Sequence, residues 1–283
     1  VLKDKFAITV FPDIPPPSIH GKISLIDSTG ETKSILDKMG VPYQIVDVDT
    51  IDRGLSSLSD FSLLIIGKNS YPEAVNIFKN WMPIDNTVKE GLNVVFLEQT
   101  NRYVCGLKVE NFNSRYVFLR DKNSSLFKGL SDEDFSNWRG ESKMLPPYLP
   151  WNEKSNWQDG RYSKHGQLNS FGQRRFWHWS NKGMVATFCF EKPQIGNFRV
   201  LLENGFDLLY TPMIELYYGK GRILLSQLDL VDHYGIEPVA TILLNRIIEE
   251  YTKKKSNRFQ PVCCLNEKSK ELIEELKFEY RKG

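Results

Sequence analysis

The stretch Phe61-Ser62-Leu63-Leu64-Ile65-Ile66-Gly67 is an apolar run in which polar and apolar residues do not alternate. A strand of this kind is buried on both faces, which is typical of a parallel sheet covered by helices. Two other runs share the pattern, Ile23–Ile26 before it and Leu92–Leu97 after it. The segment from Thr32 to Met39 has helical spacing and is followed by Gly40, a residue that commonly ends helices. The sequence therefore predicts an α/β fold with a doubly wound, mostly parallel sheet.

The remaining core elements are predicted from the same patterns. Apolar runs indicate further strands, and the turn Gly219-Lys220-Gly221 leads into the last of them. The predicted strands are Tyr43–Val46, Gly183–Phe190, Pro212–Tyr218 and Arg222–Asp229, and the predicted helices are Glu73–Trp81 and Pro238–Tyr251.

The chain divides into segments of different character. Residues 1–19 end in a proline-rich linker and predict the close of an upstream domain. Residues 20–255 form the α/β domain, in which 101–180 is predicted to be a long, irregular, Trp-rich insertion. Residues 256–283 are predicted to be a linker and the start of a second α/β unit, the alternative being a lone strand-helix extension. Both ends are therefore expected to continue into neighbouring domains.

Composition argues against several functional classes. Among 283 residues, 37 Lys and Arg balance 35 Asp and Glu, so the basic excess of a nucleic-acid binder is missing. No apolar run reaches the roughly 18 residues of a membrane-spanning helix. The sequence contains no Gly-x-Gly-x-x-Gly or phosphate-binding loop. Its four Cys and four His lack metal-binding spacing, and Cys189 is predicted to be buried in a strand. We expect no cofactor, metal, nucleic acid or membrane.

Polar side chains follow the predicted strands at their carboxyl ends. Ligand sites of open α/β sheets lie at this edge, outside the ends of the strands. The candidate residues at these ends are Lys68 and Asn69, Glu98 and Gln99, and Gln227 and Asp229.

The element order, the glycine after the third strand and the final Gly-x-Gly turn resemble the class I glutamine amidotransferase-like superfamily (ThuA- or flavodoxin-like). Catalytic members of that family carry a nucleophilic Cys where this chain has Glu98, and a His where it has Asp229. Cys105, the nearest thiol, lies seven residues past Glu98. A carboxylate cannot form the thioester of glutaminase chemistry. The resemblance therefore implies the fold without the glutaminase activity.

A closer resemblance lies in Leu126–Phe135, Asn137–Ser142 and Gly219–Asp229. These stretches are similar to amidotransferase-like accessory domains of bacterial family 2 glycoside hydrolases, the β-galactosidase-like proteins, over about residues 20–255. Val10-Phe11-Pro12 is similar to the end of the β-sandwich that precedes such a domain. The resemblance implies a bacterial periplasmic or extracellular parent. It also implies partners in neighbouring domains, a carbohydrate or a second copy of the chain.

Glu98 and Asp229 have two interpretations. They could form a pair across the strand ends, since glycoside hydrolysis uses two carboxylates roughly 5–10 Å apart. Alternatively they cap backbone amides or pair with Arg102, Lys68 or Arg139.

The segment Trp138-Arg139-Gly140-Glu141 also has two interpretations. An aromatic face beside charged groups suits a pyranose, which makes Trp138, Arg139 and Glu141 candidate ligand-binding residues. Alternatively Trp138 packs the insertion onto the sheet, and Arg139 and Glu141 hold it there. The leading hypothesis is a non-catalytic accessory module with a structural, oligomerisation or carbohydrate-binding role. The alternative is an independent sugar-processing hydrolase that uses Glu98 and Asp229.

Overall fold

The computed structural model describes residues 9–47, 58–71, 82–145, 181–205 and 207–253. Its helices are α1 (Glu31–Met39), α2 (Met82–Glu90), α3 (Leu230–His233) and α4 (Pro238–Thr252). Its strands are β1 (Ile23–Ile26), β2 (Gln44–Ile45), β3 (Leu63–Ile66), β4 (Asn93–Phe96), β5 (Tyr103–Val104), β6 (Leu107–Glu110), β7 (Phe118–Leu119), β8 (Trp138–Glu141), β9 (Lys182–Gly183), β10 (Cys189–Glu191), β11 (Phe198–Asn204), β12 (Tyr210–Tyr218) and β13 (Gly221–Ser226).

Most of these strands form an 11-stranded sheet in the order β2-β1-β3-β4-β13-β12-β10-β6-β5. Strand β11 also pairs with β12, and β7 pairs with β11. Strands β2, β1, β3, β4 and β13 are parallel to one another. Strands β8 and β9 form a separate two-stranded sheet. The chain thus has an α/β fold with a mixed sheet.

The predicted mostly parallel sheet is wrong for the half that begins at β12. The turn at Gly219 and Lys220 reverses the chain, so β12 and β13 form an antiparallel hairpin. Strands β10, β6 and β5 then continue the sheet by antiparallel pairing. The predicted insertion 101–180 contributes β5, β6 and β7 to this half. Four of its tryptophans lie outside the described residues: Trp151, Trp157, Trp177 and Trp179.

The parallel half is buried on both faces, as its sequence predicts. Along β3, Leu63 and Ile65 belong to one core cluster and Leu64 and Ile66 to the other. Helices α1 and α4 contribute to the first cluster, and Val88 of α2 contributes to the second. This division explains why the strands carry apolar residues without alternation.

The proline-rich segment before β1 contacts the domain. Pro15 accepts a hydrogen bond through its carbonyl oxygen from Asn245 Nδ2 of α4 (2.9 Å). The His20 backbone N–H donates to the Thr252 hydroxyl at the end of the same helix (3.3 Å). These bonds hold the segment between Pro15 and His20 against α4.

Several predictions fall on residues that the structure does not describe. They are the first eight residues of the predicted close of an upstream domain, the helix Glu73–Trp81 and the second α/β unit in 256–283. Among the described helices, none has both the length and the apolar character required to cross a membrane.

Candidate functional site

The carboxyl ends of β3, β4 and β13 meet at one edge of the sheet, because these strands are parallel neighbours. Gln99 and Gln227 join the last two ends. The Gln99 backbone N–H donates to Gln227 Oε1 (2.9 Å), and Gln227 Nε2 donates to the Gln99 carbonyl oxygen (3.1 Å). Both glutamines are buried. They therefore hold the strand ends together, and their amide groups are already engaged.

Glu98 is fully buried behind this edge. Its Oε1 accepts a hydrogen bond from the Val231 backbone N–H of α3 (3.1 Å). Its Oε2 has no hydrogen-bond partner among the described residues. Burial and the nearby Asp229 carboxylate raise the pKa of Glu98 from 4.5 to about 8, although the Lys68 ammonium opposes the rise. Glu98 thus caps the start of α3, which fits the backbone-capping interpretation.

Asp229 and His233 form a second buried pair beside Glu98. His233 Nδ1 lies 2.9 Å from the Asp229 carbonyl oxygen and 3.2 Å from Asp229 Oδ2. Both side chains are 0% exposed. Burial disfavours the imidazolium, but the hydrogen bond and the charge of Asp229 prevail and raise the pKa of His233. The Asp229–His233 pair therefore stabilises a bound proton.

Lys68 is the buried cation of the site. Its Nζ lies 2.5 Å from Asp232 Oδ1 and 3.1 Å from Glu31 Oε2. The second oxygen of Asp232 accepts a hydrogen bond from the Lys143 backbone N–H (2.6 Å). Burial favours the neutral acid, but these donors hold the pKa of Asp232 below its usual range. Lys68 therefore pairs directly with Asp232 and Glu31, and interacts with Glu98 through its charge.

Strand β8 lies over this cluster. The Trp138 ring is 2% exposed and its Nε1 donates to the Asp134 carbonyl oxygen (3.0 Å). The ring packs against Phe135 and His233, with centroids at 6.2 and 5.8 Å. No face of the Trp138 ring is free for a sugar in this arrangement, so its contacts fit the packing interpretation.

The polar neighbours of Trp138 point outward. The Arg139 side chain is 69% exposed and lies 3.4 Å from Glu237. Glu141 is exposed and pairs with Lys182 (3.3 Å). Asn69 is also exposed, at the end of β3, and its Oδ1 accepts a hydrogen bond from the Thr100 hydroxyl (2.6 Å). These three candidates remain accessible, whereas Glu98, Asp229 and Lys68 lie together in the interior.

Substitution of Gly140 tests how closely β8 approaches α3. A Cβ atom there would lie 3.2 Å from His233 Cδ2 and 3.5 Å from Ile236 Cγ2, on a backbone with φ of +119°. We expect Gly140→Ala to lower the free energy of unfolding by about 1–3 kcal/mol, measured by urea denaturation. Gly106→Ala is the matched control, because Gly106 has a positive φ and open space around it. Equal losses in the two variants would contradict the close approach.

Sequence reasoning missed Asp232 and His233. They follow Asp229 by three and four residues, a spacing that places side chains on one face of a helix. This spacing is the sequence feature that could have revealed them. Helix α3 has only four residues, so it gives no periodic pattern in the sequence. Ser142 was also missed; it is buried, and its hydroxyl has no hydrogen-bond partner among the described residues.

The described site contains no obvious catalytic nucleophile. Cys105 lies in the β5–β6 turn, and the Cys189 thiol contacts the Phe112 carbonyl oxygen and Asn204. Among the described residues, no group of three or more His, Cys, Asp or Glu side chains is arranged to hold a metal ion. The arrangement can bind protons and can hold the strand ends against α3.

No family model matches the chain, and no curated protein matches it. Solved structures resemble it at low identity. A ThuA-like protein from Bacteroides uniformis has 10% identity and a TM-score of 0.45, over 89% of this chain and 97% of that one. A glutamine amidotransferase from Thermotoga maritima has 12% identity and a TM-score of 0.38, over 83% of this chain and 90% of that one.

A β-galactosidase from Rahnella sp. R3 also resembles the chain, with 12% identity and a TM-score of 0.38. The likeness covers 84% of this chain and 32% of the β-galactosidase. The chain therefore corresponds to about a third of that enzyme's length. Likenesses this distant leave the function to be inferred from the side chains themselves.

Proposed function

We propose that this chain is a non-catalytic accessory module of a larger, glycoside hydrolase-like protein. The observation that carries the proposal is the state of Glu98. This residue stands where the sequence resemblance to glutamine amidotransferases implies the nucleophile; it is fully buried, and it accepts a hydrogen bond from the Val231 backbone N–H. A group that caps a helix from inside the protein has no access to a substrate. The module would act through its surface, in contacts with neighbouring domains, with a second copy of the chain, or with carbohydrate.

A carbohydrate contact would involve exposed polar residues after β3 and on β8. Asn69, Arg139 and Glu141 supply amide, guanidinium and carboxylate groups, which are the groups that bind sugar hydroxyls. Trp138 would support them from below rather than stack on the ring. A sugar site here would therefore depend on Arg139 and Asn69.

The second candidate is a hydrolase that uses Glu98 and Asp229. The raised pKa of Glu98 favours it, because buried carboxyl groups of raised pKa serve as general acids. The burial of Glu98 and Asp229 weighs against the hydrolase, since a glycosidic bond would have to reach the interior of the protein.

The test combines hydrolysis with thermal shift. We expect no hydrolysis of nitrophenyl glycosides by the wild type; hydrolysis that is lost in Glu98→Gln would support the hydrolase instead. In parallel, galactosides, other monosaccharides and plant oligosaccharides are screened. A sugar at 100 times its dissociation constant should stabilise by about 2.7 kcal/mol. A shift that is lost in Arg139→Ala but kept in Lys108→Ala, a change in β6, would support carbohydrate binding.

With no shift for any sugar, the contacts that remain are with protein. Light scattering then separates a second copy of the chain from neighbouring domains, because self-association depends on concentration and raises the measured mass. A monomer at all concentrations would leave neighbouring domains as the partner.

A further inference from the structure

The buried charges at the strand ends do not balance. Glu98, Asp229 and Asp232 are buried carboxyl groups, and Lys68 is the buried ammonium that faces them. Three negative charges and one positive charge leave two negative charges when His233 is neutral. Two uncompensated charges in the interior would destabilise the folded protein strongly. The folded protein must therefore acquire positive charge at this site.

The partly exposed charged residues around the cluster do not supply this positive charge. The charged groups that face the cluster from other elements are Glu31 of α1 and Lys143 after β8, which pair with each other and with Lys68 or Asp232. The side chains of Glu31 and Lys143 are 33% and 70% exposed. Their charges are opposite, so together they leave the balance unchanged.

The unsatisfied atoms show where positive charge is missing. Glu98 Oε2, Asp229 Oδ1 and His233 Nε2 are buried without a hydrogen-bond partner among the described residues, and Asp229 Oδ2 has only the ion pair with His233 Nδ1 at 3.2 Å. The carboxylate oxygens are acceptors unless a proton is added. Among the described residues, no three or more His, Cys, Asp or Glu side chains are grouped so as to hold a metal ion. A proton, in contrast, needs no coordination shell and no added space.

We propose that Glu98, Asp229 and His233 form a proton-binding site that attaches α3 to the strand ends. One proton resides on Glu98 and a second is shared by Asp229 and His233. With these two protons the buried charge is zero, because Lys68 neutralises Asp232. The two carboxylates are then no longer both charged beside each other.

Loss of the protons would act on α3 in particular. Asp229, Asp232 and His233 are all carried by α3 and its N-cap, whereas Glu98 lies two residues past the end of β4. Repulsion between ionised Glu98 and ionised Asp229 therefore pushes α3 away from β4. Strand β8 would follow, because Trp138 and Gly140 both pack on His233. The site thus couples the outer layer of the domain to pH.

The direction of the pH dependence follows from the shifts. The pKa of Glu98 rises on folding from 4.5 to about 8, so the folded protein holds a proton that the unfolded chain releases. The pKa of His233 is also raised, which has the same sign. The contribution of this site to stability is fully present below pH 4.5, the unfolded pKa of Glu98, and is lost as pH rises through the folded pKa values.

The test is urea unfolding of the full chain between pH 6 and pH 8. While Glu98 holds one extra proton in the folded state, the unfolding equilibrium constant rises about tenfold per pH unit; because the folded pKa is about 8, the rise from pH 6 to pH 8 is about fiftyfold. We expect Glu98→Gln to remove the part of this rise in the unfolding equilibrium constant that comes from the Glu98 proton, because the amide is neutral at every pH. Glu141→Gln is the matched control, since Glu141 is exposed, and it should keep the wild-type profile.

Asp229→Asn provides a second variant in case Glu98→Gln does not fold. Without the Asp229 charge, the pKa values of Glu98 and His233 both fall, so the rise between pH 6 and pH 8 should shrink. A flat wild-type profile, or variants that run parallel to the wild type, would overturn the proposal. So would a rise that disappears when potassium or magnesium chloride replaces sodium chloride at equal ionic strength, because a bound cation would then compensate the charge.

Discussion

Replacement of Glu215 by alanine is expected to lower the free energy of unfolding by about 3–5 kcal/mol, the usual cost of removing one partner of a buried charge network. Glu215 lies in β12 and is 1% exposed. Its Oε1 accepts hydrogen bonds from Tyr251 Oη (2.6 Å) and Arg222 Nη1 (3.0 Å). Its Oε2 accepts from Arg199 Nη2 (2.8 Å) and Tyr217 Oη (2.7 Å). Alanine would leave two guanidinium groups and two hydroxyls without their acceptor.

Arg222 makes this loss severe. Its side chain is only 11% exposed, and its guanidinium lies 4.4 Å from the centre of the Tyr251 ring. Without Glu215 this buried positive charge loses its closest anion, since the Glu250 carboxylate lies 3.9 Å away. Glu215→Gln should cost less than Glu215→Ala, because the amide oxygen still accepts hydrogen bonds.

Urea denaturation at pH 7 provides the measurement. Glu191→Ala is the control, since Glu191 is exposed on the neighbouring part of the same sheet and should change stability by less than about 0.5 kcal/mol. A loss below about 1 kcal/mol in Glu215→Ala would contradict the network. Burial opposes ionisation, but the two arginines keep the pKa of Glu215 below its usual range. Its contribution is therefore present above pH 4.5 and is lost as pH falls.

Gly221→Ala is the second substitution with a large expected effect, roughly 2–4 kcal/mol of destabilisation. An added Cβ would lie 2.2 Å from the Leu92 carbonyl oxygen and 2.4 Å from the Val88 carbonyl oxygen. Both atoms belong to the backbone where α2 leads into β4, so no side-chain rotation relieves the contact. The turn is also held there by a hydrogen bond from the Lys220 N–H to the Lys89 carbonyl oxygen (2.8 Å).

Thermal unfolding of Gly221→Ala beside Gly30→Ala separates steric conflict from backbone preference. Gly30 has a φ of +74° and nothing within 4 Å of its added Cβ, so its substitution should cost only about 1 kcal/mol. If Gly221→Ala unfolds at the wild-type temperature, the close approach of the turn to α2 is contradicted.

The parallel half of the fold was predictable because its signal is local. The runs at β1, β3 and β4 are apolar on both faces, and the structure places strands at Ile23–Ile26, Leu63–Ile66 and Asn93–Phe96. The antiparallel half was not recognised over residues 101–145. Strands such as β5 and β7 have two residues each, too few to show a period. Their pairing depends on partners far away in the sequence, which a single chain pattern does not contain.

The position of the candidate site was predictable from the sequence, but the neighbours and orientation of its side chains were not. The strand ends correctly placed Glu98 and Asp229 at one edge, because parallel neighbours end together. Their environment depends on α3, whose four residues carry Asp232 and His233 into the same cluster. The inward direction of Trp138 depends on what β8 packs against. Tertiary contacts decide such features, so the residue types alone left a packed and an exposed Trp138 ring, and a capping and a catalytic Glu98, as alternatives.

The position of β13 has a consequence for synthesis of the protein. Strand β13 lies beside β4, although Gln99 and Gln227 at their ends are 128 positions apart. At a translation rate of 5–20 residues per second, about 6–25 seconds pass between the two strands emerging from the ribosome. During this interval β4 exposes an unpaired, apolar edge that chaperones or other nascent chains can bind. The centre of this sheet is therefore completed last, and folding of the domain must wait until translation has passed β13.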